Sequence, residues 1–207
     1  MSQQQLTNYM NPEMFRQFLF WLIRLPPFHS DTGRPPMPAQ YFVNLAKIRY
    51  GCGLRITEGL ELTPKDFDLN NKILRVVDPK TAKGGYQKTT ILPYDVDWLE
   101  RFFSEFNRDE KMFNTTRMTV WKYEKDAGIM AGLQIAEEQK QKSIIGSWTH
   151  LFRKSCSKRM RMMGAERELR MCKLRHSFKD AHDTYDAVDL NTLKAWELEH
   201  MPKESPY

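Results

Sequence analysis

Phe15, Phe18, Leu19, Leu22 and Ile23 recur at steps of three and four residues, the period of one helical face, and predict a first helix over 12–24. Pro26-Pro27 ends it, and the Pro-rich stretch 26–38 reads as a loop that neither helix nor strand would tolerate. A second helix, 39–50, turns Phe42, Leu45, Ala46 and Ile48 toward a core and leads into a turn at 51–53. Arg55 begins a third, short helix that Thr63-Pro64 closes. The pattern then changes to that of strands, 66–69 and 72–77 about a two-residue Asn70-Asn71 turn, and a third strand over 88–92. Helical spacing returns at 96–106, where Trp98, Leu99, Phe102, Phe103 and Phe106 mark a strongly apolar face suited to a core, and again at 116–127. The segment 130–147 contains the polar run 137–142, which is expected to be exposed. In the helix that follows, Cys156, Met160 and Met163 share one face and Lys154, Lys158 and Arg161 another. Gly164 should end it in the left-handed conformation, before a helix over 165–174. The fold class is therefore α+β: mainly helical, with a small three-stranded antiparallel sheet.

A length of 207 residues suits one large domain, or a domain with a small appendage, and 41% hydrophobic with 28% charged residues is the balance of a soluble globular protein. No run of eighteen apolar residues exists, which excludes a membrane-spanning helix, and the first residues do not read as a secretory leader. Cys52, Cys156 and Cys172 lack metal-ligand spacing and read as reduced, buried side chains of a cytoplasmic protein. Charge is unevenly placed. From Lys140 to His182, twelve Lys and Arg stand against Glu166, Glu168 and Asp180, a net +9 suited to facing phosphates. Beyond Tyr185 the balance is −3, a sign that should avoid DNA.

Chemistry concentrates at His150 and Arg153, three apart and hence neighbours on a helix, where an imidazole and a planar guanidinium fork suit one phosphate. Upstream, the stretch Gly51-Cys52-Gly53-Leu54-Arg55-Ile56-Thr57-Glu58-Gly59-Leu60 places an Arg after a glycine turn with a Glu one helical turn later. Together these motifs resemble the G-L-R-x-x-E and H-x-x-R boxes of the tyrosine recombinases, the phage integrase family. His176, twenty-three residues after Arg153, and Tyr185, nine further on, stand at that family's spacings for its second His and its nucleophilic Tyr, and Gly164 matches its inter-helix Gly. The resemblance covers about 6–188, a whole catalytic domain, and 189–207 is a tail with Leu190, Leu193, Trp196 and Leu198 as an apolar set. This tail reads either as an arm docking on a neighbouring protomer or as the domain's last helix. Members usually carry an N-terminal DNA-clamping domain as well, so the chain is expected to be a fragment of a longer integrase or a minimal one.

The resemblance implies cleavage and rejoining of double-stranded DNA through a 3′-phosphotyrosyl ester, with no metal, ATP or other cofactor. Tyr185 would attack, Arg55 and Arg153 would hold the non-bridging oxygens, and His150 would take the Tyr proton or hydrogen-bond a non-bridging oxygen. His176 would add a donor, and Glu58 would orient Arg55 and the His rather than touch DNA. The general acid would be Lys83, before Gly84-Gly85 at a hairpin tip, with Lys80 and Lys88 as rivals. Lys154, Lys158, Arg161 and Arg175 would contact DNA; Arg175 replaces the usual Gly before the second His, which would add a phosphate contact or crowd the turn. The expected protein is monomeric when free, tetrameric on DNA, and acts in the cytoplasm. His29, His182 and His200 match no motif. Three other readings rank behind this one, and sequence does not separate the first of them from strand exchange. A type IB topoisomerase-like nicking and resealing enzyme shares the residue set; a helix-turn-helix module reading DNA through 166–174 leaves Arg55, Lys83 and Tyr185 unexplained; a metal-dependent nuclease would need clustered carboxylates.

Overall fold

A computed structural model describes residues 9–29, 36–77, 86–92, 95–133, 144–176 and 188–202. Helix α1 (Pro12–Leu22) starts where the Asn11 side chain accepts the Met14 amide at 2.8 Å, with Pro12 in the first turn, where its missing N–H costs nothing. Phe15, Phe18, Leu19 and Leu22 are buried as their spacing predicts, but the helix stops before Ile23, which is 39% exposed. The bridge between Phe28 and Met37 brings the two sides of the Pro-rich connection together. Helix α2 (Ala39–Cys52) runs two residues further than its pattern suggested, so that Gly51 and Cys52 are helical and Gly53 alone forms the left-handed cap, φ +64. Helix α3 (Ile56–Leu60) follows directly.

A 3-10 turn, Pro64–Asp66, leads into β1 (Phe67–Asp68), β2 (Ile73–Val77) and β3 (Tyr86–Thr90), which form an antiparallel sheet in the order β1-β2-β3. The expected two-residue turn is longer here. Asp68 pairs with Ile73 across the turn, the Asp68 carboxylate accepts both the backbone and side-chain amides of Asn71, and Lys72 rather than either Asn takes the positive φ, +54. The local Asx bond captures Asn71 and passes the strained conformation to its neighbour.

Helices α4 (Val96–Phe103), α5 (Arg117–Met130), α6 (Ile144–Met162), α7 (Arg167–Leu174) and α8 (Leu190–His200) complete the described elements. The main core lies between α1, α2, α5 and α6, where Phe15 stacks on Tyr50 and meets Phe152 edge-on. Beneath this core α2 and α5 are tied by a buried Arg49–Glu124 ion pair. A second core joins Cys156 and Met160 of α6, Leu169 and Leu174 of α7, and Leu193 of α8. Gly164, at φ +87, makes the expected break between α6 and α7. The architecture is mainly helical with one small antiparallel sheet, as the hydrophobic pattern predicts.

Candidate active site

The site forms where the end of α2, the start of α3, the middle of α6 and the end of α7 converge. Gly53 turns the chain sharply, because only a residue without a Cβ fits there: an added Cβ would lie 2.5 Å from Leu174 Cδ2 and 3.3 Å from Cys156 Sγ. The turn places Arg55 as the cap of α3, and Glu58 reaches back to it. Glu58 Oε2 accepts the Arg55 backbone N–H at 2.7 Å and Oε1 accepts Arg55 Nη1 at 2.6 Å. This is the Glu-to-cap half of a capping box, with the Arg side chain tied to the same carboxylate.

Arg153 approaches from α6 with its guanidinium buried. Its Nη1 donates to Gly53 O at 2.8 Å and its Nη2 donates to Leu174 O, so one fork clips the α2–α3 turn to the end of α7. Nη1 also stands 3.9 Å from Glu58 Oε2. Burial, with repulsion from Arg175 and Arg55, pulls the Arg153 pKa down to about 10, which leaves it charged at neutral pH. Burial by itself would raise Glu58, but Arg175, Arg55 and Arg153 outweigh it and hold the carboxyl below its usual range. Glu58 is therefore an anion fixed among three cations.

His150 and His176 are both exposed at the edge of this cluster. Partial burial and then the charges of Arg55, Arg153 and Lys154 lower the His150 pKa, while partial burial, Arg153, Arg55 and Arg175 lower that of His176. Both imidazoles are neutral at pH 7, able to accept a proton or offer one N–H. The arrangement can bind an oxyanion on fixed guanidiniums and accept a proton from an attacking hydroxyl beside it.

Six of the residues singled out by sequence, Arg55, Glu58, His150, Arg153, Arg175 and His176, meet here. Lys83 and Tyr185 lie outside the described residues, as does Lys80. Lys88 is exposed on β3, opposite Arg75 of β2. Lys154 is half-buried and Arg161 exposed on α6, and the half-buried Lys158 holds its ammonium 5.6 Å from the centre of the Tyr9 ring. Arg175 does not face outward as a DNA contact would. It is buried at φ +55 with Nη2 2.7 Å from Glu58 Oε2, and its remaining bonds go to backbone carbonyls.

The basic segment 140–182 is consequently no single phosphate-facing surface. Lys173 is fully buried in an ion pair with Glu197 of α8 at 2.8 Å and donates to Thr90 Oγ1 of β3 at 2.7 Å. Arg159 is buried with its guanidinium 4.6 Å from the centre of the Tyr50 ring. Sequence reasoning missed the Lys173–Glu197 pair, and a separation of twenty-four residues leaves no local signal for it.

No protein-family model matches the chain. The tyrosine recombinase XerD of Vibrio cholerae serotype O1 (strain ATCC 39315 / El Tor Inaba N16961) is 23% identical over 176 residues, 77% of this chain and 53% of that protein. The catalytic domain of bacteriophage HP1 integrase superposes with a TM-score of 0.58 at 15% identity, covering 98% of this chain and 99% of that one. In sequence the chain is similar to tyrosine recombinases, and it has the fold of an integrase catalytic domain. It spans about half the length of the curated recombinases it matches. The fold is shared also with the XerH site-specific recombinase bound to difH substrate, TM-score 0.57 and 19% identity over 95% of this chain and 51% of that one. No group of three His, Cys, Asp or Glu suited to a metal occurs among the described residues. No described helix is long and apolar enough to cross a membrane.

Proposed function

We propose that this domain breaks and rejoins double-stranded DNA through a 3′-phosphotyrosyl intermediate, in site-specific recombination or integration. The observation that carries the reading is the convergence of Arg55 and Arg153, from elements nearly a hundred residues apart, around Glu58 with the imidazoles of His150 and His176 at the rim. Fixed guanidiniums do here what solvent would otherwise do, stabilising the charge that grows on the two non-bridging oxygens.

In the proposed step the Tyr185 Oη attacks phosphorus and the bond from phosphorus to the 5′ oxygen breaks. The Tyr proton passes to His150, and Lys83 protonates the departing 5′ oxygen. His176 donates to a non-bridging oxygen. The phosphotyrosine keeps the energy of the broken ester, so the reverse attack by a 5′ hydroxyl reseals the strand without ATP. The relative XerH is described on its difH DNA substrate; by the same reasoning DNA is the partner of this domain, which would assemble as a tetramer on it and work in the cytoplasm. Lys154, Lys158 and Arg161 are the proposed backbone contacts on α6.

A nicked suicide duplex tests the reading, because loss of the short fragment after cleavage traps the covalent adduct. Wild-type protein should become linked to DNA, whereas Tyr185→Phe should bind DNA equally and form no adduct. An adduct on the Phe variant would remove Tyr185 as the nucleophile.

A further inference from the structure

Arg175 occupies a left-handed position, φ +55 and ψ +39, directly before His176. A residue with a Cβ is disfavoured there, so this turn holds an Arg against a local conformational cost that its side-chain contacts must offset. Those contacts are specific. Nη1 donates to Cys52 O at 3.3 Å and to Lys173 O at 3.2 Å, and Nη2 donates to Gly53 O at 3.4 Å and to Glu58 Oε2 at 2.7 Å. The guanidinium thus spans from the end of α7 to the α2–α3 turn and ends on the carboxylate that holds Arg55.

Exposure separates the three guanidiniums around Glu58. The side chain of Arg55 is 34% exposed, against 6% for Arg153 and 2% for Arg175, so Arg55 is the most open of the three to an anion arriving from solvent. Its direction is set by Glu58 through two contacts, and the direction of Glu58 is set in turn by what holds its second oxygen. Arg175 and the Arg55 backbone N–H share that oxygen, each at 2.7 Å, and Arg175 is its close charged partner, whereas Arg153 stands 3.9 Å from it. Without Arg175 that oxygen would keep only the Arg55 backbone N–H, leaving the carboxylate freer to swing toward Arg153 and loosening its grip on the Arg55 guanidinium.

We propose that Arg175 is a positioning residue for anion binding: it fixes Glu58, Glu58 fixes Arg55, and the turn that presents His176 is thereby coupled to the guanidinium that receives the phosphate. This deepens the reading of the site as a phosphodiester site and rests on it. The role needs both the charge and the reach of the side chain, and it leaves Arg153 free to serve α6, α7 and the substrate.

The test uses the full chain, with inorganic phosphate as probe and the side-chain Nε–Hε resonances of the arginines and the ring resonances of His150 and His176 as reporters. In wild-type protein, phosphate should shift the Arg55 signal. R175G, which relieves the backbone of its left-handed strain, should move the Arg55 signal before any phosphate is added and weaken phosphate binding on the order of tenfold, the scale for removing a group that orients a ligand. R175K should recover part of that loss, and R175M, which keeps buried bulk without charge, should behave as R175G does if the glycine variant fails to fold. Wild-type phosphate affinity and an unmoved Arg55 signal in R175G or R175M would overturn the proposal, as would the absence of any phosphate-dependent shift in the wild type. The suicide-duplex assay separates this from the function itself. Arg175-dependent phosphate binding by a wild-type protein that never forms an adduct would sink strand cleavage and keep the positioning role; equal adduct formation by wild type and R175G would do the opposite.

Discussion

Gly53→Ala should damage stability and the site together, because one backbone position serves both. The residue sits at φ +64 as the cap of α2, and its carbonyl accepts from Arg153 at 2.8 Å and from Arg175 at 3.4 Å. Adopting the left-handed conformation costs an Ala about 1 kcal/mol more than a Gly. The new methyl would also stand 2.5 Å from Leu174 Cδ2, and Leu174 is itself buried in the second core, so its retreat disturbs Cys156 and Leu193. Overpacking of this kind costs about 1–3 kcal/mol, for a total of roughly 2–4 kcal/mol. In a domain of this size that lowers the thermal midpoint by about 4–16 °C. Urea or thermal unfolding followed by circular dichroism measures it, and cleavage of a suicide duplex at a temperature where the variant remains folded measures the second effect. Cleavage should fall more than DNA binding does, since the moved carbonyl releases one arm of the Arg153 fork. A variant with an unchanged unfolding midpoint would refute the packing argument, and one that is destabilised yet cleaves normally would show that Gly53 does not position Arg153.

Lys83→Ala should lose cleavage of an ordinary duplex and regain it on a bridging 5′-phosphorothiolate, whose sulfur leaves without a proton; rescue of Lys80→Ala or Lys88→Ala instead would move the general acid to that residue. Lys173→Met should cost about 3–5 kcal/mol by urea unfolding, because it leaves Glu197 buried without its ion-pair partner, and adding Glu197→Met should recover most of it; a double variant no better than the single one would argue against the pair as the source. Glu58 has a folded pKa below its unfolded value of about 4.3, so its contribution is present above that pH and is lost as pH falls through the folded pKa. Wild-type stability should therefore drop more steeply below about pH 4.3 than that of Glu58→Gln, and parallel pH profiles would contradict the three-arginine environment.

Much of the fold is legible because its causes are local. The spacing of Phe15, Phe18, Leu19 and Leu22 is itself the geometry of a helical face, and Gly164 ends α6 at φ +87 because few other residues adopt that conformation cheaply. His150 and Arg153 share a face by the same arithmetic. Even a local reading fails where two local forces compete, as at the β1–β2 turn, where the Asp68 carboxylate captures Asn71 and leaves the positive φ to Lys72.

What the order of residues leaves open is which charges are turned inward. In the linear pattern, Lys173, Arg159 and Arg175 read as part of a basic surface, because a cation alone belongs in water. Burying one is tolerable when an opposite charge and several acceptors are already in place, and for two of them these arrive from far along the chain: Glu197 and Thr90 for Lys173, and Glu58 with the carbonyls of Cys52 and Gly53 for Arg175. By itself the sequence determines the helical faces and places His150 with Arg153, and Arg55 with Glu58, on shared turns. Only the tertiary structure decides that Arg175 points at Glu58 rather than at solvent, since the partner that makes its burial affordable lies 117 residues away.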